Sequence, residues 1–497
     1  MYLFVGMLVF ATVFCVAGTT LQKQQPKPMG PAVEWMKTFG SDQNDWGNCV
    51  AKTSDGGCII CGPYGRNVWS LWYSYLYLLK VDASGNEQWH QTLGTYTMDH
   101  IGRSVQQTSD GGYIIAGEQG AGWQYSAFIM KTDASGNMLW TRVIGNYDAY
   151  DTARCVKQTP DGGYIVAGMT QSFGAGGADA WLIKLDMNGN EQWNRTFGGP
   201  LFDAGNYVDL TTDTGYVIIG STESYGTGGS ADAWLIKTDS NGHEEWNKTF
   251  GGTDYEDAAQ IQQTTDGGFV FVGTKPVTDG TTDIWVMKTD ASGVTLWERT
   301  LGGTAYDTGY SIQQTTDGGY FVVGDYTNPM TMDPEVYAAK LDKNGNMKWN
   351  QTFDGNGSED HGYFGIQTAN HGYLITGSTG NMMDAASDVW LIKLAPEKEP
   401  AFTMVISGGL SASTKITNSG TADATNVPWS IQVRGGLFHR INTTVTGTIA
   451  NLPVGDSTTV STRMLFGFGN IKITSQADQA TSTVDGTQLV IFTVVKK

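Results

Sequence analysis

Short runs of alternating apolar and polar residues follow one another along most of the chain, separated by glycine-containing turns. In residues 310–353 the runs are YSIQQT, YFVVGDY, VYAAKLD and MKWNQTF. A TDGG turn separates the first two runs, and Asn344-Gly345 separates the last two. Such runs, joined by Asp-Gly or Asn-Gly pairs, predict β-strands connected by hairpins. The segment lacks the 3.6-residue periodicity of helices, so we predict four antiparallel strands.

This four-strand pattern recurs seven times, in units of about 52 residues. The Asp of the first turn, or its equivalent, stands at Asp55, Asp110, Asp161, Asp213, Asp266, Asp317 and Asn370. A Lys ends the third run at Lys80, Lys131, Lys184, Lys237, Lys288, Lys340 and Lys393. A Trp marks the fourth run at Trp89, Trp140, Trp193, Trp246, Trp297 and Trp349. Seven four-stranded units predict an all-β fold, a seven-bladed β-propeller over residues 33–395.

The seventh unit ends after its third run, DVWLIK, and has no fourth. The segment VEWMKTFG, which contains Trp35, stands alone at residues 33–40, before the first unit. We predict that this N-terminal strand completes the last blade and closes the ring. An open ring would leave unpaired strand edges where its two ends meet.

The segments outside the repeats differ in composition. Residues 2–18 form one apolar run, which predicts a signal peptide or an N-terminal anchor in residues 1–18, followed by a linker over 19–32. We therefore expect a secreted or cell-surface protein that contacts a membrane only through such an anchor. After a second linker at 396–401, residues 402–497 contain seven short alternating runs, which predict an immunoglobulin-like β-sandwich.

The repeat QQTTDGGYFVVG, followed by VMKTDASG and a Trp, resembles a propeller repeat common in predicted secreted proteins of archaea and bacteria. The tail segment TNSGTADATNVPWSIQVRGG is similar to adhesion-related immunoglobulin-like domains of prokaryotic surface proteins, the CARDB type. These resemblances imply an extracellular role in binding or adhesion, and neither brings a catalytic motif. The turn DASGNMLW resembles a sialidase Asp-box but has its Asp and Trp displaced by one residue.

The charge balance narrows the choice of partners. Asp and Glu outnumber Lys and Arg 49 to 30, for a net charge of −19, which argues against nucleic acid as a partner. Cys58 and Cys61 should point to opposite faces of one strand, which is unsuitable for a zinc knuckle. Cys49 and Cys61 could face each other across a hairpin, although four small buried thiols are the favoured interpretation.

One acidic residue per unit precedes the first turn, by ten residues in six units and by eleven in the second. The residues are Asp45, Asp99, Asp151, Asp203, Glu256, Asp307 and Asp360. The connectivity of a propeller places them on the face formed by the loops from strand four to strand one and from strand two to strand three. We favour a role in capping each unit's own loop, and carboxylates that converge on Ca²⁺ are the alternative.

Two further features of that face are candidates for ligand binding. The predicted loops between strands two and three of the first two units are rich in aromatic residues, namely Tyr64, Trp69, Trp72, Tyr73, Trp123 and Tyr125. Such rings suit stacking on sugars or anchoring a protein partner, and their packing on each other is the alternative. Arg103 and Arg154 occupy equivalent strand-one positions, where the other units have Asn48, Asn206, Ala259, Tyr310 and Tyr363. With His100 they could bind an anion, although pairing with the neighbouring acids is favoured.

The sequence lacks the usual enzyme signatures, including HExxH, GxSxG and the P-loop. We therefore predict an exported binding or adhesion protein whose ligand is a polysaccharide or a surface glycoprotein. One alternative is a glycoside hydrolase or lyase that uses carboxylates such as Asp307 and Asp360. Another is a structural component of the cell envelope that associates through its tail.

Overall fold

The computed structural model describes residues 30–497 except 69–70, 96, 147, 279, 356–358, 382–385, 399, 479, 491 and 496–497. The described part is almost entirely β-strand and turn, which confirms the all-β class. In this part of the chain no helix is long and apolar enough to cross a membrane. The predicted signal or anchor, residues 1–18, lies outside the described residues.

The repeat region contains twenty-eight described strands. In chain order, β1 to β9 are Val33–Phe39, Cys49–Lys52, Cys58–Val68, Leu71–Val81, Glu87–Leu93, Asp99–Gln107, Tyr113–Ala121, Gln124–Thr132 and Met138–Ile144. Strands β10 to β18 are Thr152–Gln158, Tyr164–Thr170, Asp179–Leu185, Glu191–Phe197, Asp203–Leu210, Tyr216–Thr222, Asp232–Thr238, Glu244–Phe250 and Asp257–Gln263. Strands β19 to β28 are Phe269–Pro276, Thr282–Thr289, Thr295–Leu301, Thr308–Gln314, Tyr320–Thr327, Pro334–Leu341, Met347–Phe353, Glu359–Gln367, Tyr373–Asn381 and Ala386–Leu394.

These strands form seven four-stranded antiparallel sheets in the described residues. Sheets 1 to 6 each take four consecutive strands, starting with β2–β5 and ending with β22–β25. Sheet 7 consists of β26, β27, β28 and β1, so the segment before the first unit supplies its fourth strand. In this pairing Thr38 lies opposite Trp390 and Phe39 opposite Val389.

The lysine of each third strand holds the first turn of its own sheet. In sheet 6, Lys340 Nζ lies 2.9 Å from Asp317 Oδ2 and donates to the carbonyl oxygen of Leu341 at 3.2 Å. Asp317 Oδ1 in turn accepts the backbone N–H of Gly319 at 3.1 Å. The same pair recurs as Lys80–Asp55, Lys131–Asp110, Lys184–Asp161, Lys237–Asp213 and Lys288–Asp266. The repeated Lys and Asp are therefore structural; the turn chemistry of the sequence predicts this role for the Asp, and the structure adds the Lys.

Tryptophans of the fourth strands join each sheet to the next. A Cβ on Gly136 of sheet 2 would lie 2.6 Å from the ring of Trp89 in sheet 1, so only glycine fits beneath this ring. The same contact joins Trp140 to Gly189, Trp193 to Gly242, Trp246 to Gly293 and Trp297 to Gly345. Trp35, in sheet 7, lies in the same way on Gly85 of sheet 1.

Residues 402–495 form two further sheets. Strands β29 to β36 are Phe402–Ser407, Ser413–Asn418, Ala424–Gly435, Ile441–Leu452, Ser457–Ser461, Gly467–Ala477, Ala480–Val490 and Phe492–Val495. One sheet has the order β29-β30-β33 and the other β32-β31-β34-β35-β36. Side chains of both sheets share one apolar core, which includes Ile416 and Val460 from the first and Val427 from the second.

The four described cysteines are buried free thiols. Cys49 and Cys61 lie opposite each other in the β2–β3 register, as the hairpin pattern predicts. Cys58 and Cys61 belong to different apolar clusters, in agreement with their expected positions on opposite faces of β3.

Candidate functional site

The first strands of the seven sheets surround a cavity of about 520 Å³. All seven positions that the sequence marks as equivalent to Arg103 line this cavity: Asn48, Arg103, Arg154, Asn206, Ala259, Tyr310 and Tyr363. The start of each first strand lies on the face to which the loops from strand four lead. Aligning the seven units therefore identifies residues that form a ring in the structure. The sequence analysis proposes only two of them, Arg103 and Arg154, as ligand contacts.

A repeated β-bulge aims these side chains into the cavity. In sheets 2 to 7 the pairing of the first and second strands skips one residue, and that residue is Arg103, Arg154, Asn206, Ala259, Tyr310 or Tyr363. A bulged residue leaves the ladder, bends its strand and redirects its side chain. Each bulge follows a Gly or Ala, and a Cβ on Gly362 would lie 2.8 Å from Val336. The small residue thus allows the close approach of neighbouring sheets.

Arg103 forms an ion pair on the cavity wall. Its Nη2 donates to Glu118 Oε1 at 2.5 Å, and Glu118 projects from the second strand of the same sheet. The Arg103 side chain is 41% exposed, whereas that of Glu118 is only 3% exposed. A guanidinium has five N–H donors, so Arg103 can hold Glu118 and a ligand oxygen at the same time.

Arg154 begins a hydrogen-bonded chain across three sheets. Its Nη1 donates to Asn206 Oδ1, and Asn206 Nδ2 donates to Asp257 Oδ1 at 3.0 Å and to the carbonyl oxygen of Ala258 at 2.8 Å. Burial raises the pKa of Asp257, although the positive charge of Arg154 acts to lower it. The chain orients each polar group, so the donors and acceptors of this wall are fixed before a ligand arrives.

The opposite side of the cavity is aromatic. The rings of Tyr310 and Tyr363 meet edge to face at 5.7 Å, and His361 stacks on Tyr363 with centroids 5.6 Å apart. His361 Nδ1 lies 2.6 Å from Asp325 Oδ2. Burial lowers the pKa of His361, but the contact with Asp325 outweighs this and raises it above its ordinary value. Burial also raises the pKa of both tyrosines, so they remain neutral hydroxyls.

The expected partners of the two arginines require correction. The sequence favours pairing with the acids that precede the turns, whereas the structure pairs Arg103 with Glu118 and places Arg154 next to Asn206. Glu118 and Asp257 escape sequence reasoning because their roles depend on bulged register and on contacts between sheets. The expected anion site with His100 is not assembled, because that ring is buried beside Phe128 and Gly94. The sequence nevertheless contains one indication of a special role for Glu118, because this charged residue interrupts the apolar second run of its unit.

Six of the seven acids before the turns bind loops that lead into or lie within their own sheets, whereas Asp99 binds the third strand of the preceding sheet. Asp45 accepts the backbone N–H groups of Ser41 and Gly65, at 2.5 and 2.8 Å. The other six acids accept backbone N–H groups in the same way. The donor–acceptor pairs are Ser74–Asp99, Gln171–Asp151, Gly199–Asp203, Gly252–Glu256, Gly303–Asp307 and Gly355–Asp360. This is the capping role favoured from the sequence.

These carboxylates do not converge on one cation. Among the described residues, no three His, Cys, Asp or Glu side chains lie close enough together to hold a metal ion. The described residues therefore do not assemble the alternative, a common Ca²⁺ site, because each acid binds the backbone of a different segment. Four of the acids instead face a second carboxylate. The sequence analysis overlooked these second carboxylates, although each begins the third run of the neighbouring unit. The pairs are Asp45–Asp388, Asp203–Asp179, Glu256–Asp232 and Asp307–Asp283.

The aromatic segments are hairpins and not open loops. Strands β3 and β4, and likewise β7 and β8, extend almost to the tip. Tyr64 packs on Tyr77 at 5.1 Å between centroids, and Tyr125 packs on Tyr150 and donates to Asp99 at 2.8 Å. Trp123 projects from a hairpin tip and is 92% exposed. Trp69 lies outside the described residues, as do the side chains of Trp72 and Tyr73.

A second cavity, of about 510 Å³, lies at the other ends of the first strands. It shares Cys49, Ser104, Tyr207, Gln260 and Phe364 with the first cavity. Its ring of equivalent positions is Ala51, Gln106, Lys157, Asp209, Gln262, Gln313 and Ile366. Several of these side chains bond to the next sheet: Gln262 Oε1 accepts the backbone N–H of Gln314 at 2.6 Å. This end of the first strands therefore serves contacts between sheets.

No family model and no curated protein matches this chain. Similar solved structures include an extracellular domain assigned to the hybrid two component system BT3049 of B. thetaiotaomicron, at 9% identity and a TM-score of 0.43. That match covers 92% of this chain and 58% of the other, so the chain spans less than two thirds of that protein.

Two further similar structures have comparable scores. An ulvan lyase of polysaccharide lyase family PL25 has 8% identity and a TM-score of 0.46, with 72% of this chain and 97% of that one covered. The WD40 domain of Neurospora crassa Pan2 has 12% identity and a TM-score of 0.43, with 71% and 90% covered. At these scores none of the three assigns a ligand or an activity to this chain.

Proposed function

We propose that this protein is an exported binding protein, and that the cavity ringed by the seven strand-one positions holds a sugar residue of a polysaccharide or a surface glycoprotein. The observation that carries the proposal is the bulge repeated in six sheets. It points varied side chains, two of them arginines, into one space of about 520 Å³. The seven sheets place four residue types, Asn, Arg, Ala and Tyr, at this position, whereas the Lys and Asp that hold the turns hardly vary.

The chemistry of the wall suits hydroxyl groups. Each sugar hydroxyl donates one hydrogen bond and accepts others, and it therefore fits a wall where donors and acceptors alternate. Arg103 and Arg154 donate, while Glu118 and Asp257 accept. Tyr310 on the far side offers an aromatic surface to the apolar faces of a sugar ring. The mixture of charges favours a polyhydroxylated ligand over a simple anion.

The proposal includes an architecture for the chain. Residues 33–395 form a closed seven-bladed β-propeller, supported by the β1–β28 pairing and by the Trp35 contact with Gly85. Residues 402–497 form an immunoglobulin-like sandwich of the kind found in prokaryotic surface proteins, supported by two sheets with a shared core. Residues 1–18 direct export. In a closed ring the cavity lies on the axis, with its mouth on the face of the hairpin tips.

We do not propose a hydrolase or lyase that uses Asp307 or Asp360. Asp307 accepts N–H groups from Gly303 at 2.6 Å and from Thr327 at 2.8 Å. Asp360 accepts the N–H of Gly355 at 2.6 Å. Carboxylates whose oxygens already accept hydrogen bonds from the loop backbone are poor general acids or bases for a substrate. Binding without turnover therefore fits the site better.

A glycan array probed with the exported chain tests this function. The informative variant is Arg103→Met with Glu118→Gln, because it removes both members of the ion pair and leaves no buried charge unpaired. We expect the wild-type chain to retain a set of glycans and the variant to bind them at least tenfold more weakly. Arg142→Met is the matched control, since Arg142 lies over Trp140 on an outer strand. Equal binding by wild type and the double variant would contradict the proposal.

A further inference from the structure

Three loops meet at one end of the two-sheet tail. The loop 408–412 follows β29, residues 436–440 join β31 to β32, and residues 462–466 join β33 to β34. The backbone N–H of Leu465 donates to the carbonyl oxygen of Leu410 at 3.3 Å, which links the first and third loops. The N–H of Gly436 donates to the carbonyl oxygen of Asn470, just beyond the start of β34, at 2.6 Å. We call this end the tail tip.

The tail tip exposes large apolar side chains. Phe438 is 79% exposed and Phe466 69% exposed, and they are accompanied by Leu410, Leu437 and Met464. Scattered single apolar residues are normal on a protein surface, whereas five such residues in adjoining loops mark an interaction site. The core behind the tip is complete without them, because Ile431, Val433 and Ile471 are fully buried among other residues.

The backbone holds two of these residues in an uncommon conformation. Phe438 and His439 both have φ of 56°, in the left-handed region that side chains with a Cβ rarely adopt. Two consecutive residues in this region cost stability and are retained where the conformation serves a purpose. Here the conformation presents Phe438 to solvent in a turn that the Gly436–Asn470 hydrogen bond anchors.

The charges of the tail are distributed unevenly. Residues 402–497 contain seven Lys and Arg against four Asp, whereas the whole chain has a net charge of −19. Arg440 and Arg463 lie in the tip loops, and Arg434 stands opposite Lys472 near the same end. Three of the four acids, Asp423, Asp456 and Asp478, lie at the opposite end. The chain enters the tail at that acidic end, where Phe402 pairs with Asn418.

We propose that the tail tip docks on an anionic lipid surface, which is a membrane contact beyond the N-terminal anchor expected from the sequence. Exposed Phe, Leu and Met at the end of a sandwich can enter the boundary between headgroups and acyl chains, while flanking arginines meet the negative headgroups. A protein partner would need a groove to receive this projecting tip, whereas a lipid surface needs none. The separation of charge along the tail also sets its orientation on the membrane. Its basic end faces the lipid, and its acidic end faces away.

Vesicle flotation and fluorescence test the proposal. The chain used begins at Thr19, so that the apolar run of residues 2–18 is absent and cannot insert. We expect it to float with vesicles of 30% phosphatidylserine in phosphatidylcholine and to remain unbound with pure phosphatidylcholine. The variant Phe438→Ser with Phe466→Ser should bind at least tenfold more weakly, and each of Arg440→Gln and Arg463→Gln about fivefold more weakly. Met330→Ser, at a 93% exposed residue of the repeat region, is the matched control and should bind as wild type.

A tryptophan reporter separates docking from misfolding. The chain has sixteen native Trp, so the readout is the emission of each variant minus that of wild type. This difference should show a blue shift on anionic vesicles and quenching by brominated lipids for Phe438→Trp, and neither for Met330→Trp. Absence of wild-type flotation, or unchanged flotation of the serine variant, would overturn the proposal. Concentration-dependent association that is lost in the serine variant without any lipid binding would also overturn it, in favour of a second copy of the chain.

Discussion

At the scale of single residues, buried ionic groups organise every sheet. Lys340 is 1% exposed, and Asp317 and the carbonyl oxygen of Leu341 accept hydrogen bonds from its Nζ. Burial raises the pKa of Asp317, but hydrogen bonds from Thr315 and Lys340 outweigh it and hold this pKa well below its usual range. The lysine thus fixes a turn that would otherwise depend on local bonds alone.

We expect Lys340→Met to lower the free energy of unfolding by about 2 kcal/mol at pH 7, because Asp317 and Leu341 lose a charged donor. Urea denaturation measures this change. Lys343→Met, in the exposed turn that follows, should alter stability by no more than about 0.5 kcal/mol. Equal effects of the two substitutions would show that the buried pair contributes nothing specific.

The pKa of Asp45, one of the acids that cap the loops, shifts in the opposite direction to that of Asp317. Burial raises the pKa of Asp45 to about 6, despite the hydrogen bonds from Ser41 and Gly65 that lower it. A carboxyl with a raised folded pKa stabilises the fold fully below its unfolded pKa near 3.8. That contribution is lost as the pH rises through about 6.

Asp45→Asn removes this titrating carboxyl and keeps the neighbouring Asp388. The stability of wild type relative to this variant should therefore fall by roughly 2 kcal/mol between pH 4 and pH 7. Denaturant melts of both proteins at intervals of one pH unit measure the difference. A difference that is constant over this range would show that Asp45 is ionised throughout.

At the scale of elements, strand and turn positions follow from local signals, whereas the bulges and long hairpins do not. DGG turns and alternating runs predict the four strands of a unit because both act within a few residues. The segment from Tyr64 to Tyr75 reads as a loop since Gly65 and several aromatic residues break its alternation, but its strands pair nearly to the tip. Arg103 is recognised as equivalent to Tyr310, yet its partner Glu118 depends on a bulged register that no local pattern specifies.

Two turn glycines allow a test of the contact between sheets 7 and 1. Gly56 and Gly85 both have positive φ, of 86° and 73°. A Cβ on Gly56 would meet open space, whereas a Cβ on Gly85 would lie 2.6 Å from the Trp35 ring. Gly56→Ala should cost about 1–2 kcal/mol for its backbone conformation alone. Gly85→Ala should cost about 1–3 kcal/mol more because its methyl group meets the ring.

Thermal melts give both values, and Trp35→Ala should remove the additional cost of Gly85→Ala. If the two alanine variants are equally stable, the N-terminal strand does not cover the first sheet in solution.

At the scale of the whole molecule, seven similar sheets carry one dissimilar ring of residues. The Lys–Asp pairs and the Trp–Gly contacts recur from sheet to sheet, while the residue facing the cavity changes from Asn48 through Arg154 to Tyr363. Repetition therefore maintains the framework, and variation at one position per sheet creates the site. Sequence comparison of the units finds both the repeated and the varied positions, but only the fold shows that the varied ones face a common space.

The most direct test of the binding site is a crystal structure of the exported chain with a glycan that it binds. The account predicts a sugar residue within the strand-one cavity, hydrogen-bonded to Arg103 or Arg154 and lying against Tyr310. Ligand density at the hairpin tips around Trp123, with the cavity occupied by water alone, would contradict it.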